Sequence, residues 1–366
     1  VALTATPPSP VDIPLAQRLA GPDVIRAVAL IGVVVMNYYG YLILRGTSGV
    51  GTGWAAELFN PWTGPLSTRF AATFVLVAGV GVTLLTRSSL GHPIRVREMR
   101  WRLVRRGVLL YTSGLLIDEI WPGTILPYYG AMFVIAAALF TLRSRWIALV
   151  GVIAAFAGWS IRIWRFEQQQ DGHSTRWLTS PGDGSIRHFV FGVFVNGTHP
   201  LLPWLAFLCA GMLLGRILNT DWWRVATFGT GFILFAGANV VNAVSSTNFQ
   251  NVLLSTHPDE RGLVYVASAL GTALIAYASV DWLAVRFPIA TDPLRRAGQL
   301  TLTLYLAHIL VFNLLVDWVG WVDPAGLDTA LTFALGFWVV GIFAAVAWSR
   351  HFGRGPAERI YRAFGG

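Results

Sequence analysis

Apolar runs recur along the whole chain, separated by short polar or arginine-containing stretches. An α-helix needs about 20 predominantly apolar residues to cross roughly 30 Å of hydrocarbon. Segments near that length fall at 24–44, 68–86, 104–120, 127–142, 146–164, 200–218, 225–245, 262–285, 298–318 and 328–349. They predict an all-α, polytopic membrane helix bundle of ten spans. The segments 104–120 and 127–142 are the shortest, so an eleventh, merged or re-entrant segment is the alternative. Composition agrees: of 366 residues 55% are hydrophobic and 12% charged, and the mean hydropathy is +0.58, far more apolar than a soluble domain requires.

Charge then orients the bundle. All 27 basic residues are arginine, which excludes a Schiff-base lysine and a Walker-type phosphate lysine. With residue 1 on the cytoplasmic side, most arginines fall in inner segments, as the positive-inside rule requires. The net charge of +9 therefore reports topology and contact with anionic lipids, and no nucleic-acid partner is expected. The predicted organisation is a cytoplasmic tail over 1–20, one transmembrane domain over 21–349 and a cytoplasmic tail over 350–366. No signal-peptide pattern opens the chain, and the first span is expected to direct insertion into the inner membrane of a bacterium. The lone cysteine, Cys209, lies inside a span and reads as packing.

Polar residues at membrane depth are where chemistry is sought, because they face the bundle interior or a wet cavity. In the first span Arg26 and Asn37 are eleven residues apart, three helical turns and about 16 Å along one face. That face would link a cytoplasmic mouth to the outer half of the bilayer. The structural alternative pairs Arg26 with Asp23 and bonds Asn37 to another helix. In the ninth span Thr301, Tyr305 and His308 share a face as one expected hydrogen-bonded strip. Near the outer surface Asp118, Glu119, Asn239, Asn242, Ser246 and His199 are candidates for a polar pocket, with the loop 165–199 as a lid. The segment 87–106, RSSLGHPIRVREMRWRLVRR, carries seven arginines and reads as an inner loop, either a topology anchor or a clamp for a phosphorylated cofactor. Gly211 and Gly215 form a small-xxx-small packing pair. No zinc, dithiol, dinucleotide or P-loop motif is present, and no metal is expected.

Several blocks, in order, carry a resemblance: PDVIRAVALIGVVVMNYYGY, PWTGPLSTRFAATFVLVAGVGVTLL, TILPYYGAMFVIAAAL, THPLLPWLAFLCAGMLLGR and RRAGQLTLTLYLAHILV. Together they resemble the transmembrane acyltransferase superfamily that includes heparan-alpha-glucosaminide N-acetyltransferase and bacterial YeiB-like membrane proteins. The resemblance implies transfer of an acyl group, acetyl foremost, from cytoplasmic acyl-CoA to an envelope glycan or glycolipid across the membrane. The family histidine expected about eleven residues after Asn37 has no counterpart: the matching position is near Ser48, in YLILRGTSGVGTGW.

The base is then expected from His199 or His308, since imidazole titrates near working pH. Tyr305 would orient it and Asn37 would hold the thioester oxygen. Arg26, Arg95, Arg97, Arg100, Arg102, Arg105 and Arg106 would bind the coenzyme phosphates, and Asp118, Glu119, Asn239 and Asn242 the acceptor. The expected surroundings are membrane lipids and either a homodimer or an envelope-biosynthesis complex. A non-enzymatic carrier for a lipid, glycan or small metabolite is the competing function.

Overall fold

The computed structural model describes residues 20–46, 51–180, 185–244 and 253–366. Residues 1–19, Ser48 and Ser246 lie outside them. The described chain is helical throughout: α1 (Ala20–Arg45), α2 (Trp54–Leu58), α3 (Arg69–Thr86), α4 (Pro93–Asp118), α5 (Leu126–Leu139), α6 (Ser144–Gln170), α7 (Arg176–Thr179) and α8 (Ile186–Phe191). There follow α9 (Leu201–Ile217), α10 (Trp223–Ala243), α11 (Leu263–Arg286), α12 (Pro288–Gln299), α13 (Thr301–Phe312), α14 (Leu327–His351) and α15 (Pro356–Gly365).

Every predicted span falls on a helix, with ends shifted by a few residues except at α4, which begins eleven residues before 104. Among the described residues seven helices are long and apolar enough to cross a membrane, or eight if the pair Ile186–Asn196 and Leu201–Ile217, bent by 52°, forms one span. The predicted spans 104–120 and 127–142 lie outside that set for two physical reasons. The first shares a single helix, α4, with the arginines before it. The second, α5, has 14 residues and reaches only about 21 Å.

The arginine-rich segment expected as an inner loop is mostly helix. Pro93 sits in the first turn of α4, where its missing N–H costs nothing, and residues 94–106 hold no glycine or proline to stop the helix. The segment 350–366, expected as a tail, carries α15, an amphipathic helix packed against α4 and α13. Glu358 of α15 accepts from the N–H groups of Leu302 at 2.7 Å and Thr303 at 3.0 Å, and from the Thr303 hydroxyl at 2.5 Å. It thereby caps the first turn of α13, whose amides have no intrahelical acceptor.

α1 is the central helix and packs against α3, α11, α12, α13 and α14. Around it, helix pairs approach closely through facing glycines, the parallel pair α3 and α9 and the antiparallel pairs α4 and α5 and α10 and α11. A Cβ on Gly79 or Gly211 would collide with the backbone of the opposite helix, at Leu208 and Leu76 respectively. Gly107 and Gly130 do the same for α4 and α5, and Gly231 and Gly271 for α10 and α11. In lipid, where burial of apolar surface does not drive helices together, such contact is a main source of association. Gly215 extends the α9 stripe: a Cβ there would stand 2.8 Å from the Thr83 Cβ.

Two substitutions test this packing. Gly211→Leu should destabilise the bundle by at least about 2 kcal/mol through overpacking, read as a lower Tm in detergent. Glu358→Ala should cost about 1 kcal/mol, the usual loss for an N-terminal cap, and should make the chain beyond Phe352 more sensitive to protease.

Candidate active site

Three polar ties fasten α1 to α12, α13 and the turn of π-helix that continues α13 to Trp318. At one end Asp23 accepts from Arg26 at 2.6 Å and from Gln299 at 3.1 Å. In the middle the Asn37 amide nitrogen lies 3.1 Å from His308 Nε2, and the Tyr38 hydroxyl donates to the His308 carbonyl at 3.1 Å. At the far end Arg45 is ion-paired with Asp317, with Nη2 2.8 Å from Oδ2. The structural alternative for each half of the first-span pattern is thus realised: Arg26 pairs with Asp23, and Asn37 bonds across to another helix.

The middle tie has the properties of a chemical site. His308 is fully buried, with Nδ1 against the backbone carbonyl of Tyr305. A carbonyl only accepts, so the ring proton is assigned to Nδ1 and the lone pair to Nε2. That lone pair accepts from the Asn37 amide. The result is a neutral imidazole of fixed tautomer whose basic nitrogen is engaged by one neutral donor. A hydroxyl or amine taking the place of that donor would be aligned to give up its proton.

Tyr305 does not form a strip with Thr301 and His308 along their helix. The three side chains are buried, but each turns to a different partner. The Tyr305 hydroxyl lies 2.8 Å from Thr124 Oγ1 and accepts from the Ile125 amide at 3.4 Å, and Thr301 bonds the Gly298 carbonyl. Tyr305 therefore anchors α13 to the turn between α4 and α5. That turn also supplies Trp121, edge-on to His308 at 5.6 Å between ring centroids and stacked on Tyr41 at 3.6 Å. Phe312, Phe333 and Phe337 close the remaining side around Tyr38.

Sequence reasoning missed Tyr38, Tyr41, Trp121, Thr124 and the Arg45–Asp317 pair. Tyr38 and Tyr41 carried a signal, since they flank Asn37 at i+1 and i+4; Trp121 and Thr124 enter only through the folded turn.

The other candidates lie in separate places. Asp118 accepts from the Gly123 amide at 2.7 Å and so shapes the Trp121 turn, while Glu119 is exposed. His199 sits between the bent helices, edge-on to Trp204 at 4.6 Å, and its Nδ1 is buried without a hydrogen-bond partner among the described residues. Beside it Arg261 donates to the carbonyls of Gly197 at 2.8 Å and Thr198 at 3.4 Å. Burial lowers the Arg261 pKa from its ordinary value, with Tyr265 and Asp259 opposing the shift.

Asn239 donates to the Phe235 carbonyl at 2.8 Å and lines a cavity of about 460 Å³. Asn242 accepts from the Thr256 amide at 2.9 Å. This cavity runs along the Ile25, Val28 and Ala29 face of α1, and neither Arg26 nor Asn37 lines it.

The arginines of α4 gather at the end of the bundle that holds Asp23. Arg95, Arg97, Arg100 and Arg105 are exposed, Arg102 half-buried and Arg106 buried. Arg100 donates to the Thr141 hydroxyl at 3.1 Å and Arg105 to the Gly365 carbonyl at 3.2 Å, and Arg106 stands 5.0 Å over the Tyr361 ring. Burial pushes the Tyr361 phenol up to about 12 against the pull of Arg106 and Arg26, so it meets these guanidiniums as a neutral ring. Among the described residues none of the six makes an ion pair with a carboxylate.

The central pair is open to a direct measurement. Asn37→Leu should cost about 1–3 kcal/mol by leaving His308 buried and unpaired, and His308→Phe about 1 kcal/mol because Asn37 is half-buried. The double variant should lose less than the sum, with a coupling of at least about 0.5 kcal/mol in unfolding of the detergent-solubilised protein. Additive losses would show that the two side chains do not interact.

Residues 18–241 match the family described as "Heparan-alpha-glucosaminide N-acetyltransferase, catalytic", and residues 204–365 match a family described as "Protein of unknown function (DUF418)". A relative from Escherichia coli (strain K12), "Uncharacterized protein YeiB", is 25% identical over 381 residues, covering 93% of this chain and 94% of its own. Asn37 falls in the first matched region and His308 in the second, so the bonded pair joins them. The matches and the apolar helices agree on a multi-pass, acetyltransferase-like membrane protein, and the chain belongs to the heparan-alpha-glucosaminide N-acetyltransferase catalytic family.

Proposed function

We propose that this protein transfers an acyl group, acetyl in the first instance, from cytoplasmic acyl-CoA to a hydroxyl or amine of an envelope glycan or glycolipid. The observation that carries the reading is the Asn37–His308 contact at 3.1 Å, in a chain of a family named for acyl transfer.

The arginine-rich end faces the cytoplasm, following the positive-inside rule, in the inner membrane of a bacterium. Arg95, Arg97, Arg100, Arg102, Arg105 and Arg106 attract the coenzyme phosphates there, with Arg26 at the base of α1. Support comes from the lack of carboxylates paired with the α4 arginines among the described residues, since uncompensated guanidiniums suit phosphate oxygens. The pantetheine arm has three turns of α1, about 16 Å, to cover from Arg26 to Asn37, a path separate from the cavity along Ile25, Val28 and Ala29.

His308 serves as the base in preference to His199, because Asn37 and the Tyr305 carbonyl both address its ring. The acceptor oxygen or nitrogen attacks the thioester carbon as its proton passes to His308 Nε2. The Asn37 amide, released from the ring, donates to the oxyanion of the tetrahedral intermediate. The carbon–sulfur bond then breaks and the departing thiolate takes the proton from His308. Asp118 and Glu119, at the opposite end from the arginines, meet hydroxyls of the acceptor.

The test is incubation of the purified protein with radiolabelled acetyl-CoA and an envelope lipid extract, followed by separation of labelled products. His308→Ala should abolish transfer, Asn37→Ala should lower it about 10²- to 10³-fold, as expected for loss of one oxyanion donor, and His199→Ala should retain it. Activity that survives His308→Ala but not His199→Ala would move the base to His199. Absence of labelled product from the unaltered protein, with CoA hydrolysis also absent, would sink the reading.

A further inference from the structure

We infer that the cavity between α1, α3 and α11, bordered by α10, holds one chain of an anionic phospholipid whose phosphate rests on Arg69. The inference is independent of the acyl-transfer reading, since neither Asn37 nor His308 lines this space.

The cavity has a volume of about 460 Å³, within the usual range for small-ligand sites. Its inner part is walled by Ile25, Val28, Phe70, Phe235, Ala276 and Val280, a surface suited to a hydrocarbon chain and to nothing charged. Phe235, whose Cβ faces Gly271 of α11, is still 36% exposed, so this side of the cavity is open at the bundle surface.

Arg69 supplies the charge. Its Nη1 donates to Ser268 at 2.9 Å and Thr272 at 3.4 Å, and its Nε to the Pro65 carbonyl at 3.2 Å. The other amine, Nη2, has no partner, and no carboxylate pairs with the side chain among the described residues. A guanidinium in a membrane domain without a counter-charge is costly, and a phosphate monoanion answers both the charge and the free N–H groups.

Depth agrees with a lipid. Ser268 lies five residues into α11, roughly 8 Å from its start at 1.5 Å per residue, near the level of headgroup phosphates. From Ser268 to Val280 the helix advances about 18 Å, comparable to half of the roughly 30 Å hydrocarbon core and so to one leaflet. Above Arg69, a second space of about 460 Å³ shares Thr63, Pro65 and His257 with the first and adds Trp54, Glu57 and Asn60. It gives a glycerol-type headgroup a polar vestibule.

The experiment is native mass spectrometry of the full chain, delipidated in detergent and titrated with dioleoyl phosphatidylglycerol or dioleoyl phosphatidylcholine. The expected result is one retained phosphatidylglycerol per chain, bound at least tenfold more tightly than phosphatidylcholine and not displaced by millimolar inorganic phosphate. Arg69→Gln should remove the preference between the lipids, and Arg69→Lys should keep part of it. Ala276→Phe, which fills the apolar part and leaves Arg69 in place, should weaken both lipids alike; its fold is checked by Tm without lipid, with Val280→Phe as the substitute if it fails. Equal affinity for the two lipids, an unchanged preference in Arg69→Gln, or displacement by phosphate alone would overturn the inference.

Discussion

Buried polar groups in hydrocarbon must find partners within the protein, and α1 meets that constraint by being tied to the α12–α13 segment at three levels. Asp23 with Arg26 and Gln299, Asn37 with His308, and Arg45 with Asp317 are spaced along the helix. An orphaned group costs on the order of 1–3 kcal/mol at the buried Asp23 and His308 and about 0–1 kcal/mol at the Arg45–Asp317 pair, where Asp317 is exposed; together the ties fix both the register and the parallel course of the two segments. The aromatic shell of Tyr38, Trp121, Phe312, Phe333 and Phe337 then packs around the middle level.

That middle tie differs from its neighbours in what it leaves free to happen. The outer two involve charged groups: Asp23, paired with Arg26 on α1, reaches α12 through the Gln299 amide, and Arg45 pairs with Asp317. Asn37 and His308 are both neutral in the assigned tautomer, and a neutral donor can exchange for another at small net cost because hydrogen bonds are traded rather than lost. The ring meanwhile stays oriented by the Tyr305 carbonyl, and α13 stays anchored through Tyr305 to Thr124 and through Glu358 at its first turn. A rigid helix carrying one exchangeable contact is the arrangement that proton transfer from a bound hydroxyl or amine to Nε2 calls for.

The molecule also separates its charges by end. Guanidiniums of α4, none of them ion-paired among the described residues, gather at the end where α15 docks, while the Arg45–Asp317 pair and the Trp121 turn define the other. Away from that end Arg69 is set into an apolar cavity and held by Ser268, Thr272 and a carbonyl in place of an acid. The facing glycines of α3 and α9, α4 and α5, and α10 and α11 allow the surrounding helices to pack closely, and the open space therefore lies between α1, α3 and α11 instead.

Much of this was legible in the residues. Among the described residues hydropathy located each helix long and apolar enough to cross a membrane, because a backbone in lipid has no alternative to helix, though it also counted α4 and α5 as spans. Isolated polar residues within those runs named Asn37, Tyr305 and His308 as interior groups. Spacing along one helix also gave the face shared by Arg26 and Asn37. It gave no reason for Asn37 to meet His308, 271 positions away, or for Asp118 and Asn239 to part company, since which helix faces which is set by packing across the bundle. The order of greasy segments and the chemistry each carries are local properties that sequence determines by itself. Partnership among those groups, the tautomer it imposes on His308 and the position of the cavity were decided by tertiary contacts, because one-dimensional periodicity says which way a side chain points but not what it will find there.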